Sequence, residues 1–578
     1  MPGVYQTLDQ RLREAFDSVV PGTDPVLRPS TRPGIDFQAN GAIAVAKRLG
    51  SNPGQLAGEV VAAARLEEVC SSVEVAPQGF INLTLDDGFL AQSVQQQATD
   101  QRLGVTPAET PRTVIVDYSS PNVAKEMHAG HLRTTIIGDA LVRMLTFVGE
   151  QVVRENHVGD WGTPFGMLIE HLLDIGEENA AHELSVGDLD TFYRQARTTF
   201  DASPEFQERS RRRVVLLQSG DPETMRLWRI LVDASVAYFD EVYQVLGVLL
   251  TDDDIFGESF YNPQLATVVE ELDQKGLLRE SEGALCVFPE GFTNREGEPL
   301  PLIVQKSDGG YGYAATDLAA IRDRFGRLGA DLALYVVGAP QAQHLAMVFE
   351  AGTEAAWIPK GKEAVHVAFG SILGSDRRPF RSRSGDSVKL IEVLDEAVAR
   401  AAAVVEANTE LNAAERVEVA RMVGIGAVKY ADLSTDRIRD YIFDWDRMLS
   451  FDGNTGPYLQ YARVRCLSIF RRGEIDPQPY ATGAVPIVLG EPGERDLALQ
   501  LAGFPEAVGS AIETWSPHKL CSYLFDLAGA YTTFFETCPV LKAPDPAVRD
   551  SRLALCGITA SVLGVGLAVL GIETPERM

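Results

Sequence analysis

The stretch from Thr113 to Asp160 constrains the fold more than any other part of the chain. It opens with TVIVDYSS, a short β-branched run that ends in turn residues, and HLRTTIIGDALVRMLTFVG follows with helical spacing. QVVRENHVGD then reads as a second strand. Strand, helix and strand in that order form a βαβ unit, which requires a parallel sheet covered by helices. Between the first strand and the helix lies Ser119-Ser-Pro-Asn-Val-Ala-Lys-Glu-Met-His-Ala-Gly-His131. His128 and His131 are three apart and share a face of the first helical turn, where free N–H groups and the helix dipole favour phosphate. Gly130 lets an adenine ring or a phosphate approach the backbone. Two ordinary surface histidines are the competing reading, and the strand-to-helix context argues against it.

Around this unit the chain divides by pattern. Residues 1–107 mix a helical stretch, Val60–Val69, with an alternating strand, Phe80–Leu85, and end at the Pro107 and Pro111 boundary. LPLIVQK, LALYVVGAP and AVHVAFGSIL are expected to complete the parallel sheet within residues 111–385, with a helical insertion at about 167–298. Residues 386–410 connect this core to an almost wholly helical segment, 411–578. Its last helix, SRLALCGITASVLGVGLAVLGI, is apolar nearly all round, but Ser551, Thr559, Ser561 and glycines mark it as a buried bundle helix rather than a membrane span. The expected fold is multidomain, α/β plus α: a Rossmann-type parallel-sheet core, a small α+β N-terminal domain and an all-α C-terminal bundle.

Composition narrows the function. With 578 residues, 45% hydrophobic and 23% charged, the chain is neither disordered nor fibrous. A net charge of −29 argues against a nonspecific polyanion binder, so any nucleic-acid partner must meet local basic patches. The N-terminus MPGVYQTLDQRLREAF has no apolar core of a signal peptide, and a cytoplasmic protein away from membranes is expected. The six cysteines form no CxxC pair and no ligand spacing with histidine, so buried thiols and no structural metal are expected.

The chain resembles the class I aminoacyl-tRNA synthetases, and among them the arginyl-tRNA synthetases. The segments that carry the resemblance run almost end to end: DYSSPNVAKEMHAGH, NHVGDWGTPFG, LQSGD with Trp228, GESFYN, GYAATDLAAIR, QAQH, GNTGPYLQYARVR and LGIETPERM. The resemblance implies ATP-dependent formation of arginyl-adenylate and transfer of arginine to the terminal adenosine of tRNA-Arg, with Mg2+ as the counter-ion of ATP. It also implies a monomer and a need for tRNA in the activation step, as in the glutamyl and glutaminyl relatives. Residues 1–107 would then meet the tRNA elbow and 411–578 the anticodon.

Chemistry agrees, because a guanidinium is a rigid fork of donors best held by carboxylates and neutral acceptors. By resemblance Asp117, Tyr313, Asp317 and Gln341 take the arginine, with Ser120, Asn122 and His131 around it. Tyr313 and Asp317, four apart, share a helix face. A cap on the following turn is the other reading of Asp117, and a core position the other reading of Tyr313. ATP falls to His128, Gly130, His131, Lys125, Ser382 and Arg383, of which His128, His131, Lys125 and Arg383 are assigned to catalysis. The usual lysine-rich second motif is missing: the loop reads Arg378-Pro-Phe-Arg-Ser-Arg-Ser-Gly385, with no lysine between Lys362 and Lys389. In this family a lysine just before the histidine motif is held to replace it, and Lys125 stands there.

For tRNA, the resemblance marks Tyr458, Tyr461, Arg463 and Arg465 on the helix that opens the anticodon domain, and Phe37, Gln38 and Asn40 near the D-loop. Arg209, Arg211, Arg212 and Arg213 read equally as an acceptor-end contact or a solvated cluster. Two other functions compete. A nucleotidylyltransferase would share the βαβ unit but has no use for the helical domain, and a non-catalytic tRNA binder would have no need of His128, His131 and the carboxylates together.

Overall fold

The computed structural model describes residues 3–177, 189–378, 380, 388–406 and 410–578. At the N-terminus, α1 (Val4–Val19) precedes an antiparallel sheet ordered β1 (Leu27–Pro29), β2 (Phe37–Ala39), β4 (Ile81–Leu85), β3 (Cys70–Val75). Helices α2 (Gly41–Leu49) and α3 (Pro53–Ala63) pack beside it and α4 (Asp87–Gln97) leads out. The helix expected over Val60–Val69 lies earlier. Asn52 accepts the Gly54 and Gln55 N–H groups and Pro53 fixes the first turn, while Arg65 at φ +48° ends it.

The βαβ unit forms as expected: β5 (Thr113–Asp117), α5 (Ala129–Phe147) and β6 (Gln151–Glu155). A long insertion follows, with α6 (Pro164–Ile175), α7 (Leu189–Ala202), α8 (Pro204–Gln218), α9 (Pro222–Leu246), a one-turn helix Glu258–Tyr261 and α10 (Leu265–Gln274). It closes with an antiparallel sheet of β7 (Leu278–Ser281), β8 (Ala284–Val287) and β9 (Leu302–Gln305). The LPLIVQK strand therefore belongs to the insertion and not to the parallel sheet. Its alternation explains why: Ile303 is 47% exposed between buried Leu302 and Val304, whereas a strand covered on both faces must be apolar throughout. The chain then returns through α11 (Tyr313–Gly326), β10 (Leu332–Tyr335), α12 (Ala342–Glu354) and β11 (Glu363–His366).

The parallel sheet is ordered β11, β10, β5, β6, so the order reverses between β5 and β10. Crevices at such a reversal, at the carboxyl ends of the strands, are where open α/β sheets bind ligands. Tyr335, Asp117 and Glu155 lie side by side in register at that edge. Beyond β11, a short strand β12 (Ile372–Leu373) pairs in parallel with β13 (Tyr441–Ile442).

The rest is helical: α13 (Leu390–Val405) against α14 (Ala413–Leu433), then α15 (Gly456–Gly473), α16 (Pro492–Ala502), α17 (Phe504–Glu513), α18 (His518–Thr537) and α19 (Pro546–Val569). Among the described residues only α19 is long and apolar enough to cross a membrane, and it is surrounded by α15, α16 and α18. Leu553, Leu555, Ile558, Val562, Leu563 and Leu567 are fully buried there, each contributing about 1.5–3 kcal/mol. All six cysteines are free and buried. The bundle is tied to α5 by Arg133, whose Nε lies 3.2 Å from Asp432 on α14 with both side chains at most 1% exposed. Arg495 on α16 forks to Asp36 and Asp87 of the N-terminal unit, at 2.7 Å each.

Candidate active site

His128 is the N-cap of α5. Its Nδ1 accepts the Gly130 N–H at 3.0 Å, and His131 Nδ1 accepts the His128 N–H at 3.1 Å. An imidazole that accepts at Nδ1 carries its proton on Nε2, so both rings present an Nε2–H donor. Burial, the main cause in both, lowers the His128 pKa and takes His131 to about 3, so both rings are neutral near pH 7. Gly130 serves a purpose that its sequence context did not show. A Cβ there would lie 2.7 Å from His128 Cε1, so the missing side chain makes room for the imidazole itself.

The turn between β5 and α5 is strained. Ser119, Ser120 and Ala124 all have positive φ, at 74°, 49° and 59°, each costing on the order of 1–3 kcal/mol. Surrounding side chains hold it in place. Thr134 Oγ1 accepts the Ser119 N–H, Asn156 Oδ1 the Ser120 N–H, and Ser235 Oγ of the inserted helix α9 the Ala124 N–H. Tyr243, also on α9, meets Ser119 Oγ at 2.7 Å and accepts from Asn156 at 3.0 Å. The insertion thus positions the signature turn, and Asn122 is exposed on it.

Asp117 does not cap the turn through a backbone N–H. Its Oδ2 accepts from Arg324 Nη2 at 2.7 Å and its Oδ1 from Ser120 Oγ at 3.2 Å. Tyr313 is not core but 78% exposed, on the first turn of α11. Asp317, one turn on, meets His344 Nε2 of α12 at 2.6 Å, and this hydrogen bond raises the His344 pKa. Gln341 is exposed on the short turn after β10. The residues read from sequence therefore gather on three elements at the reversal point. Glu258, in the GESFYN segment, was given no chemistry by the sequence. Burial first, then Asp160 and Asp317, raise its carboxyl to about 8. Its only sequence signal was membership of that segment.

Lys125 stands three residues before His128, with its Nζ 4.5 Å above the ring of Tyr193 on α7. Beside it the Glu126 N–H donates to Asp190, also on α7, and the Glu126 carboxylate binds Lys389 at 2.9 Å. Phe380 stacks on Phe443 with ring centres 4.5 Å apart. Ser382 and Arg383 lie outside the described residues. Neutral donors therefore stand at α5, with Lys125 and Lys389 nearby, and carboxylates at β5 and on α11.

Models of three domains match the chain in order: the arginyl-tRNA synthetase N-terminal domain over residues 4–85, the class I (R) tRNA synthetase catalytic domain over 93–445, and the DALR anticodon-binding domain over 459–578. The chain is 54% identical to the arginine–tRNA ligase of Thermobifida fusca, over 98% of this chain and 97% of that one. The chain belongs to the arginyl-tRNA synthetases of class I. With the arginine–tRNA ligase of Escherichia coli K12 it shares 49% identity over the whole of both chains. The crystal structure of the Plasmodium falciparum arginyl-tRNA synthetase superposes with a TM-score of 0.86 at 29% identity, covering both chains completely. That of Thermus thermophilus gives 0.80 at 26% identity, over 99% of this chain and 100% of that one.

On the RNA side of this arginyl-tRNA synthetase the sequence assignments divide. Arg463 donates to the Pro575 carbonyl at 3.2 Å and Arg471 to the Glu576 carbonyl at 3.0 Å. Gln460 is buried between Met422 and Glu573. These residues hold the chain's last segment against α15. Arg465 lies between the rings of Tyr461 and Phe535, at 5.9 and 5.0 Å, and Tyr461 is 42% exposed. Tyr458 is half-buried against Phe525. In the N-terminal unit Phe37 turns inward, 8% exposed, while Gln38 bonds Asn82 and Asn40 begins α2. The four arginines of α8 all have carboxylate partners: Arg209 on Asp174, Arg211 and Arg212 on Glu208, and Arg213 on Glu170.

Proposed function

We propose that this arginyl-tRNA synthetase divides its reaction between the two ends of the cleft. Asp117, Asp317, Tyr313 and Gln341 take the guanidinium, Ser120, Asn122 and His131 surround the rest of the amino acid, and Glu258 joins them as a further carboxylate. The arginine carboxylate attacks the α-phosphate of ATP and pyrophosphate leaves. The Nε2–H groups of His128 and His131 donate to phosphate oxygens, and Gly130 keeps the His128 ring in place. Magnesium would come with ATP as its counter-ion and would offset part of the phosphate charge. Lys125 moves its charge to the pyrophosphate as it forms, with Ser382 and Arg383 closing over ATP. A ribose hydroxyl of the terminal adenosine of tRNA-Arg then attacks the adenylate carbonyl, the arginyl ester forms and AMP leaves. Tyr461 and Arg465 are proposed to meet unpaired anticodon bases and phosphates, since Tyr461 is exposed and Arg465 lies against its ring.

The observation that carries this reading is the α11 face. Tyr313 opens α11 and Asp317 follows one turn on, on the helix whose Arg324 reaches Asp117 at the carboxyl end of β5. The activation step is proposed to need tRNA, because the helical bundle that binds it is tied by Asp432 to Arg133, two residues past the histidine motif. Pyrophosphate exchange into ATP with each of the twenty amino acids, with and without bulk tRNA, tests both parts. Exchange is expected for arginine alone and only with tRNA. Comparable exchange with lysine would remove Asp117, Asp317 and Gln341 from the arginine site, and full exchange in tRNA-free protein would remove the coupling.

A further inference from the structure

The Asp117 carboxylate has a partner of its own. Arg324 Nη2 donates to Asp117 Oδ2 at 2.7 Å and Arg324 Nε to Glu155 Oε2 at 2.6 Å. The guanidinium lies 4.5 Å from the ring centre of Tyr335. Arg324 and Glu155 are 1% and 0% exposed at the side chain, and Asp117 is 8% exposed. Because Asp117 and Glu155 are register partners on adjacent strands, one planar fork spans both. Arg324 also shares a stripe of α11 with the residues assigned to substrate: positions 313, 317, 320 and 324 fall at helical spacings of four, three and four.

We propose that Arg324 is a positioning and specificity residue of the arginine site, an internal guanidinium that fixes Asp117 from behind and offsets the charge of the buried carboxylate beside it. The inference rests on Asp117 being an arginine ligand. Arg324 pairs with both carboxylates, so the Glu155 charge is offset and Asp117 keeps acceptor capacity for an incoming cation. Tyr261 and Tyr335 border the cluster as neutral phenols, since burial pushes both far above their ordinary range. An ionised carboxylate has about four acceptor positions. Arg324 and Ser120 fill one each, and the substrate takes what remains. Without Arg324, two buried carboxylates face one another, one must take a proton, and the orientation of Asp117 is lost.

The test is arginine KM and kcat in tRNA-supported pyrophosphate exchange, with thermal unfolding measured in parallel. Arg324→Lys keeps the charge but not the fork, and is expected to raise arginine KM by about tenfold with kcat within about threefold of wild type. Arg324→Met is expected to raise arginine KM by about a hundredfold or more. Adding Glu155→Gln to Arg324→Met restores the charge count and is expected to return KM to within about tenfold of wild type. A purely structural Arg324 predicts a different pattern: the losses and the recovery would show in thermal unfolding while arginine KM stayed unchanged. Unchanged KM in Arg324→Lys, or no recovery in the double variant, overturns the proposal. Should Arg324→Met fail to fold, Arg324→Lys and the double variant decide. Asp117→Asn is the separate control: if it leaves arginine KM unchanged, the reading of Asp117 as a ligand fails, not the role of Arg324 alone.

Discussion

At the α5 end of the cleft, His128 and His131 offer donors as neutral imidazoles, each locked into one tautomer by a backbone N–H. At the α11 end, Asp117, Glu155 and Arg324 are interlocked by two ion pairs. On the proposed function the difference follows from what each end recognises. Phosphate arrives with its own counter-ion and needs fixed dipoles that cost no reorganisation. A guanidinium must be told from an ammonium, which takes charge held in a planar, forked geometry. Lys125 lies outside the histidine pair, over Tyr193, and on the proposed function its charge moves in only as pyrophosphate develops its own.

The largest effect that bears on this contrast is expected from Lys125. A positioned cation at a developing oxyanion is worth roughly 2.7–4 kcal/mol by analogy with single oxyanion donors. Lys125→Ala should therefore slow adenylate formation by about a hundredfold or more while arginine KM stays near wild type. Lys125→Arg should recover only part, because the broader guanidinium does not occupy a point-charge position. Single-turnover formation of arginyl-adenylate with tRNA present measures this. Near-normal turnover in Lys125→Ala would mean the charge comes from the loop at 378–385, and the α5 end would not need an outlying cation at all.

What could be read in advance depended on how local the cause was. The βαβ unit, the histidine motif and the Tyr313–Asp317 spacing depend on neighbours within a few turns, and each was visible in the pattern. Arg324 lay in the chain just beyond the recognised GYAATDLAAIR segment, yet its partners come from β5 and β6, so the sequence showed a charge without its purpose. Glu258 is shifted by Asp160 and Asp317, which meet it only in the folded chain. The bonds of Arg463 and Arg471 to the carbonyls of residues 575 and 576 could not be read in advance, because nothing nearby in sequence reveals that the last segment folds back onto α15. LPLIVQK misled for a different reason: an apolar run does not say whether one face or two are covered.

A smaller effect should come from Gly130. A methyl there would stand 2.7 Å from His128 Cε1 and 2.8 Å from its Nδ1, so the ring must move and lose the Gly130 N–H. Overpacking of this kind costs about 1–3 kcal/mol. Gly130→Ala is expected to lower the rate of adenylate formation by roughly tenfold and raise ATP KM, with arginine KM unchanged. The two Michaelis constants in pyrophosphate exchange check it. If arginine KM moved instead, the ends of the cleft would not be separable.

The smallest effect is the one that pH exposes. Glu258, raised to about 8 by burial and then by Asp160 and Asp317, is mostly protonated at neutral pH, and an arriving cation favours its ionised form. Arginine binding near pH 7 should therefore release a proton, detectable by calorimetry in buffers of different ionisation enthalpy. Arginine KM should fall as pH rises toward 8 and level off above it, by at most about tenfold per pH unit, equivalent to about 1.36 kcal/mol. His344 titrates in the same sense: its pKa is raised by Asp317, and losing its proton also removes positive charge beside the pocket. Glu258→Gln separates the two, since only the Glu258 contribution disappears with it. ATP KM should stay flat from pH 7 to 8.5, because His128 and His131 have both been pushed down and keep one protonation state throughout. A slope in ATP KM matching that in arginine KM would mean that the two ends titrate together, and the contrast between a neutral phosphate end and a charged arginine end would not hold.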